Sequence, residues 1–297
     1  MNPFRRHLPR TAAGTLLPAE LLLRNGITRY AMNPRPHPSR TQLVNDTATA
    51  SATVGAAHAT LGPWRALGLV ALYFVLQIAV ALAWSLLARG LGAHAAILRQ
   101  MGASGMLLLV LLAAAVPILL LVRAGWPRRW AAAALPGFGV RWPGWRWIGA
   151  GMLLAALLLP LVIGLNALLF PRAGVTQSVL LVFDQARVWM RVLLTALIVL
   201  LAPFVEELLF RGVLLAGFSE RMPLRRAVAL SVLLFAIAHL PDTGGHWQVL
   251  PGLIVLALGL SWLRLRSGSL LPGYAAHALY NASVLVLALS PMLRGSH

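Results

Sequence analysis

Two adjacent glutamates and an arginine interrupt an otherwise apolar stretch of this sequence, in FVEELLFRG at residues 204–212. An ionisable side chain at bilayer depth costs about 2.5–3.5 kcal/mol even on the scale that gives the lowest values. Such residues are rare in membrane helices and indicate a functional site. Glu206, Glu207 and Arg211 are therefore candidate site residues.

Helical spacing assigns different tasks to the two glutamates. Glu207 and Arg211 are four residues apart and share a helix face, so their charges can neutralise one another. Glu206 is rotated by about 100° around the axis and faces elsewhere. An unpaired carboxylate in a dry site suits general acid–base chemistry. The alternative is a purely structural polar contact between helices, because buried ion pairs also occur without a catalytic role.

Two later segments carry polar residues of the types that hydrolysis uses. SVLLFAIAHL places Phe235 and His239 four residues apart, and PGYAAHALYNAS does the same for His277 and Asn281, so each pair projects to one side of a helix. Together with Glu206, these histidines and the asparagine supply a base, an orienting partner and hydrogen-bond donors for an oxyanion. The combination favours a catalytic site over simple helix packing.

The elements that must position these residues are membrane helices. The chain is 59% hydrophobic and 11% charged, with a mean hydropathy of +0.79 and no cysteine, which excludes disulfides and cysteine-ligated metals. Apolar segments recur at about 67–88, 104–122, 148–170, 192–217, 226–240, 249–264 and 271–290. Runs of this length predict an all-α polytopic membrane helix bundle of about seven (six to eight) transmembrane helices.

The arginines indicate topology. All 25 basic residues are arginine and the formal net charge is +18. Apart from Arg211, most of them lie in the first 62 residues and in or beside short loops, and no nucleic-acid-binding motif is visible. Residues 1–62 are predicted to be a disordered basic N-terminal tail, followed by a transmembrane domain at 63–297. The positive-inside rule predicts a cytoplasmic N-terminus and an outer C-terminus.

Three motifs in this order resemble a known family. EELLFR at 206–211 fits EExxxR, FAIAH at 235–239 fits FxxxH, and HALYN at 277–281 fits HxxxN. These motifs, within 190–290, are those of the CPBP family of intramembrane proteases, also called the CAAX protease and bacteriocin-processing, or abortive-infection-like, family. The resemblance implies an intramembrane endopeptidase that hydrolyses peptide bonds in the membrane plane.

The resemblance also implies roles for the site residues. Glu206 and His239 would activate a water, while His277 and Asn281 would stabilise the tetrahedral oxyanion. Glu207, Arg211 and Phe235 would support the structure of the site. Glu206, His239 and His277 also match the ligand types of a catalytic zinc site, although no HExxH pair is present. A divalent metal and a metal-free glutamate–histidine mechanism both remain open from the sequence.

The implied partners are a peptide or protein substrate in the membrane and the lipid bilayer, with no nucleic acid. The all-arginine, short-looped chain suggests the inner (plasma) membrane of a bacterium, where prenylated CAAX substrates are not expected. One rival is a rhomboid-like serine protease using Ser104 of GASG, a motif with a high risk of chance matches. Another is a non-catalytic membrane immunity or binding protein, or a transporter.

Overall fold

Helices account for all regular structure in the described residues. The computed structural model describes residues 60–90, 96–170, 182 and 186–294, without the side chains of 96–100, 242 and 290–294. The predicted tail, residues 1–62, lies outside this range except for its last three residues. The helices are α1 (Gly62–Gly90), α2 (Ala96–Gly125), α3 (Pro127–Trp130), α4 (Trp145–Leu169), α5 (Val188–Ser219), α6 (Leu224–Ala238), α7 (Leu250–Ser267) and α8 (Leu271–Arg294).

The predicted polytopic helical bundle is confirmed, and each of the seven predicted segments is helical. Five helical stretches are long and apolar enough to cross a membrane: α1, α2 from Met101, α4, α5, and α7 with its preceding turn from Trp247. The predicted segments at 226–240 and 271–290, which correspond to α6 and α8, are not among these five. α6 has only 15 residues, about 22 Å, which is less than the hydrocarbon thickness of about 30 Å. α8 carries the predicted site residues His277 and Asn281.

α5 is the central helix of the bundle. Its residues Leu208–Leu214 are all buried, and they contact α1 and α6. The backbone is not uniformly α-helical, because π-helical turns occupy Leu197–Leu201 and Leu208–Leu214. Pro203 follows the first of these turns and has no N–H to donate to the carbonyl four residues earlier. A widened turn at that point accommodates the proline without breaking the helix.

Two packing contacts show which helix ends lie together. Gly217, near the end of α5, lies so close to the start of α1 that an added Cβ would be 2.7 Å from the Gly62 carbonyl oxygen. Gly151, near the start of α4, approaches the carbonyl oxygen of Pro272 at the start of α8 in the same way. The contacts of Arg129 with Glu220 and of Phe138 with Gly212 bring both pairs to one end of the bundle.

This end, which we call the basic end, carries most of the charge. Its exposed arginines are Arg65, Arg123, Arg128, Arg141, Arg146, Arg221, Arg225, Arg226 and Arg266. At the opposite end, the arginines described as exposed are Arg89, which ends α1, and Arg187, which precedes α5. The described exposed arginines are thus concentrated at one end of the bundle.

Arg264, the last residue of the predicted apolar segment 249–264, is buried although it is charged. It occupies the last turn of α7 and is 2% exposed. Its guanidinium donates to the carbonyls of Ala133 at 3.0 Å and Gly137 at 2.6 Å. These contacts fix the irregular segment 131–144 beneath the α7–α8 turn. Phe138 of that segment is fully buried and lies against Gly212 in the second π-helical turn of α5.

Glu220 connects three parts of the basic end. Its carboxylate accepts hydrogen bonds from the backbone N–H groups of Leu61 at 3.3 Å and Gly62 at 2.8 Å, and from the Arg129 guanidinium. The first turn of α1 has N–H groups without helical partners, so Glu220 caps α1 from a distant part of the chain. Burial raises the pKa of Glu220, but these donors and the Arg129 charge outweigh burial and hold it below the ordinary value of 4.5.

We predict that Glu220 makes folding stability sensitive to acid. Because its pKa is lower in the folded than in the unfolded state, its stabilisation is fully present above pH 4.5 and is lost as the pH falls through the folded-state value. Thermal unfolding in detergent from pH 7 to pH 3 should show a smaller acid-dependent decrease for Glu220→Gln than for the wild type. Equal decreases for the two proteins would contradict this assignment.

Candidate active site

Glu206, His239 and His277 come together from three helices. The Oε2 atom of Glu206 lies 3.6 Å from Nε2 of His239 and 3.6 Å from Nε2 of His277. Glu206 is in the middle of α5, and His277 is in the second turn of α8. His239 follows directly after the last residue of α6, so the short length of α6 places it at the depth of Glu206.

Each histidine ring is oriented by a partner at its other nitrogen. Nδ1 of His239 is 2.8 Å from the backbone carbonyl oxygen of Phe235, and Nδ1 of His277 is 3.2 Å from Oε1 of Glu207. A carbonyl oxygen and an ionised carboxylate only accept hydrogen bonds, so we infer that both Nδ1 atoms carry protons. In neutral rings the two Nε2 atoms are then unprotonated and present lone pairs towards Glu206.

Three acceptor atoms therefore converge on one point. Glu206 Oε2 is buried and has no hydrogen-bond partner within the described part of the chain, since 3.6 Å is longer than a hydrogen bond. A buried acceptor without a donor costs free energy. A water molecule or one additional proton beside Glu206 Oε2 would satisfy this atom. The arrangement is suited to hold and deprotonate a water.

The predicted pairing of Glu207 with Arg211 is present. Their side chains are each 1% exposed, and Arg211 Nη1 donates to Glu207 Oε1 at 2.9 Å. Arg211 Nη2 also lies 3.4 Å from the Ala257 carbonyl oxygen on α7. Because Glu207 Oε1 also faces His277, the ion pair and the orientation of this histidine depend on the same carboxylate oxygen.

Phe235 packs at the centre of the site. It is fully buried, with its ring centroid 4.4 Å from that of His239 and 5.9 Å from that of His277. The Arg211 guanidinium carbon lies 4.1 Å from the same ring centroid, in a cation–π contact. Phe235 thus packs between the ion pair and both histidines, where it excludes water and fixes the rings.

Asn281 lies one turn beyond His277 on α8. Its Nδ2 donates to the backbone carbonyl of Ile198 at 3.2 Å, in the first π-helical turn of α5. A side-chain amide has two N–H groups, so one remains for another acceptor. The structure therefore places Asn281 on the α5–α8 contact beside the histidine site.

Gly273 belongs to this site, although no motif identified it. A Cβ atom at this position would lie 2.9 Å from Glu207 Oε2 and 3.6 Å from the Leu260 carbonyl oxygen. The absence of a side chain allows α8 to approach the buried carboxylate. The signal in the sequence was its position four residues before His277, which puts both on one face of α8.

Other candidates lie elsewhere or have local partners. Ser104 donates to the Met101 carbonyl of its own helix at 2.9 Å, as expected for a packing residue in a membrane helix. His246 is exposed in the segment between α6 and α7.

Metal binding at this site would depend on the types of its donor atoms and on how they are grouped. Glu206, His239 and His277 have the donor types of a zinc site, and their Nδ1 partners resemble those that orient metal-bound histidines. Nevertheless, no three His, Cys, Asp or Glu side chains in the described ranges are grouped so as to hold a metal ion. As they are grouped in the described ranges, these side chains do not fit a metal ion.

Comparison with known proteins places these residues in a family. The family described as Type II CAAX prenyl endopeptidase Rce1-like matches residues 187–283, a range that contains every residue of the site. No curated protein and no solved structure matches the chain. Together with the three motifs, the match shows that residues 187–283 belong to the Rce1-like CAAX protease family, which is the CPBP family of membrane proteases.

Proposed function

We propose that this protein is an intramembrane endopeptidase of the CAAX-prenyl-protease-like type, which hydrolyses peptide bonds of a membrane-associated substrate with a water activated by Glu206 and His239. The observation that carries this proposal is the convergence of Glu206 Oε2 with two oriented histidine Nε2 atoms, each 3.6 Å away. The family match supports peptidase chemistry in general.

The first step is attack of water on the scissile carbonyl. Glu206 accepts a proton from the water, and His239, held by the Phe235 carbonyl, orients the water through Nε2. The water oxygen bonds to the carbonyl carbon, and the carbonyl oxygen becomes an oxyanion. The proton held by Glu206 then passes to the amide nitrogen as the carbon–nitrogen bond breaks, which releases an amine and a carboxylic acid.

His277 and Asn281 are proposed to donate hydrogen bonds to the oxyanion. To donate from Nε2 while Nδ1 faces Glu207, His277 must take up one proton at the Nε2 atom that is unprotonated in the neutral ring. The charges of the site are consistent with this state, because two carboxylates and Arg211 leave one negative charge that a protonated His277 balances. The second N–H of Asn281 provides the other donor.

The membrane orientation is part of the proposal. We place the protein in the inner (plasma) membrane of a bacterium with the basic end, and therefore the N-terminus, in the cytoplasm. The concentration of exposed arginines at that end supports this orientation, and α8 then ends on the outer side.

Glu206→Gln should remove peptidase activity without unfolding the protein. Glutamine has the same shape but cannot accept the proton, so we expect cleavage of a membrane-tethered peptide library to fall about 10²–10⁴-fold. Ser104→Ala is the matched control, because the Ser104 hydroxyl donates to a carbonyl of its own helix, and it should retain wild-type activity. Cleavage is measured with detergent-purified protein, and folding is checked by thermal unfolding.

The same assay separates the competing accounts. His239→Ala is included in the assay, and each protein is assayed with and without a chelator to test the metal-free mechanism. Full cleavage by the wild type in chelator supports this mechanism. Loss of cleavage that zinc restores contradicts it. If folded wild-type protein cleaves no library member, the function is a non-catalytic immunity or binding role, or transport.

The Glu207–Arg211 pair should behave as one structural unit. Removing a single partner leaves a buried charge, so Arg211→Met should destabilise the protein by about 3–5 kcal/mol. Adding Glu207→Leu removes the remaining charge and should recover part of this loss in a double-mutant cycle of unfolding free energies. Activity should not return with stability, because the double variant lacks the carboxylate that orients His277. Additive destabilisation would contradict the coupling.

Gly273→Ala should disturb the site through steric contact alone. Its methyl group would lie 2.9 Å from Glu207 Oε2, and that carboxylate is held by Arg211 and His277 and has little room to move. We expect a lower unfolding temperature and reduced cleavage. Gly149→Ala on α4 is the control, because nothing lies within 4 Å of its Cβ position. Equal stability and activity of the two variants would contradict the assignment.

A further inference from the structure

The charge of the basic end is almost entirely unpaired. The only acidic residue in the described part of this end is Glu220, which is already occupied by Arg129 and two backbone N–H groups. The exposed arginines of the basic end defined above therefore have no acidic partner among the described residues. A surface with so much charge of one sign attracts anions.

Exposed tryptophans lie among these arginines. Trp142 is 52% exposed and Trp145 is 78% exposed, and their rings meet edge to face with centroids 4.8 Å apart. Arg141 and Arg146 flank this pair in the sequence and are exposed at the start of α4. Trp64, at the start of α1, is 82% exposed. Tryptophan at such positions is typical of the headgroup level of a bilayer.

The basic end is also continuous with the apolar outer surface of the helices. Beyond Trp145, α4 exposes Leu153 at 62% and Leu157 at 60%. An anion bound between the arginines and these leucines would therefore need both a negative headgroup and an acyl chain. The guanidinium group matches a phosphate with two parallel hydrogen bonds. This combination favours a phospholipid over a soluble phosphate or a nucleic acid.

We propose that the basic end is a binding surface for anionic phospholipids, with Arg141 and Arg146 holding the phosphate and Trp142 and Trp145 lying at the headgroup level. The surface is separate from the Glu206 site, and the proposal does not depend on peptidase activity. Its function is to select the lipid that surrounds α4 and to anchor this end of the bundle at the membrane surface.

The experiment measures which lipid the protein retains. Full-length protein is reconstituted in vesicles with equal parts of phosphatidylcholine and phosphatidylglycerol and extracted in mild detergent, and bound lipid is counted by native mass spectrometry. Wild type should retain phosphatidylglycerol preferentially. Arg141→Gln/Arg146→Gln should lower this preference by about fivefold per arginine removed. The preference should also decrease with added salt.

The matched control removes the same charge from the opposite end. Arg89→Gln/Arg187→Gln should leave the lipid preference at the wild-type value, because both residues lie away from the basic end. Equal loss in the two double variants, or no preference in the wild type, would overturn the proposal. Displacement of the lipid by inorganic phosphate at equal concentration would identify a general anion site and would also overturn it.

Discussion

The site depends on one buried ion pair. Glu207 holds Arg211 on the same helix and faces His277 on α8 through the same oxygen atom. Arg211 in turn reaches the Ala257 carbonyl of α7 and lies over the Phe235 ring of α6. Two side chains on one turn of α5 therefore contact each of the other helices that shape the site. A buried charge without a partner is costly, so these four helices are constrained to pack in one arrangement.

Helix geometry gives the second constraint. α6 stops after 15 residues, and His239 follows at its C-terminal end, at the depth of mid-helix Glu206. Pro203 interrupts the regular hydrogen bonding of α5, and the carbonyl of Ile198, in the widened turn before it, accepts the hydrogen bond of Asn281. Both features are departures from a regular spanning helix, and both place polar groups of the site where they meet. Proline is tolerated in a membrane helix because a local π-helical adjustment re-satisfies the freed backbone groups.

Features that depend on local spacing could be predicted from the sequence. The seven helices, the Glu207–Arg211 pair and the contact of Phe235 with His239 follow from helical periodicity over four residues or from apolar run length. The three motifs indicated the family, and the family match confirmed it. The assignments of catalytic roles remain predictions.

Features that depend on distant contacts could not be predicted. The burial of Arg264 depends on carbonyl groups at Ala133 and Gly137, more than 120 residues away, so no local pattern at the end of segment 249–264 indicated it. The π-helical turns do not change the apolar pattern and leave no clear sequence signal. The convergence of both histidines on one oxygen of Glu206 requires the packing of three helices, which the sequence specifies only through the whole fold.

The most direct test of the account is the protonation of the His239 ring in the resting protein. Nitrogen-15 NMR of histidine-labelled protein, assigned by comparison with His239→Gln, distinguishes the two ring nitrogens. The account predicts a proton on Nδ1, which faces the Phe235 carbonyl, and an unprotonated Nε2 facing Glu206. A proton on Nε2 with an unprotonated Nδ1 would contradict it, because the ring would then have no lone pair with which to orient the attacking water.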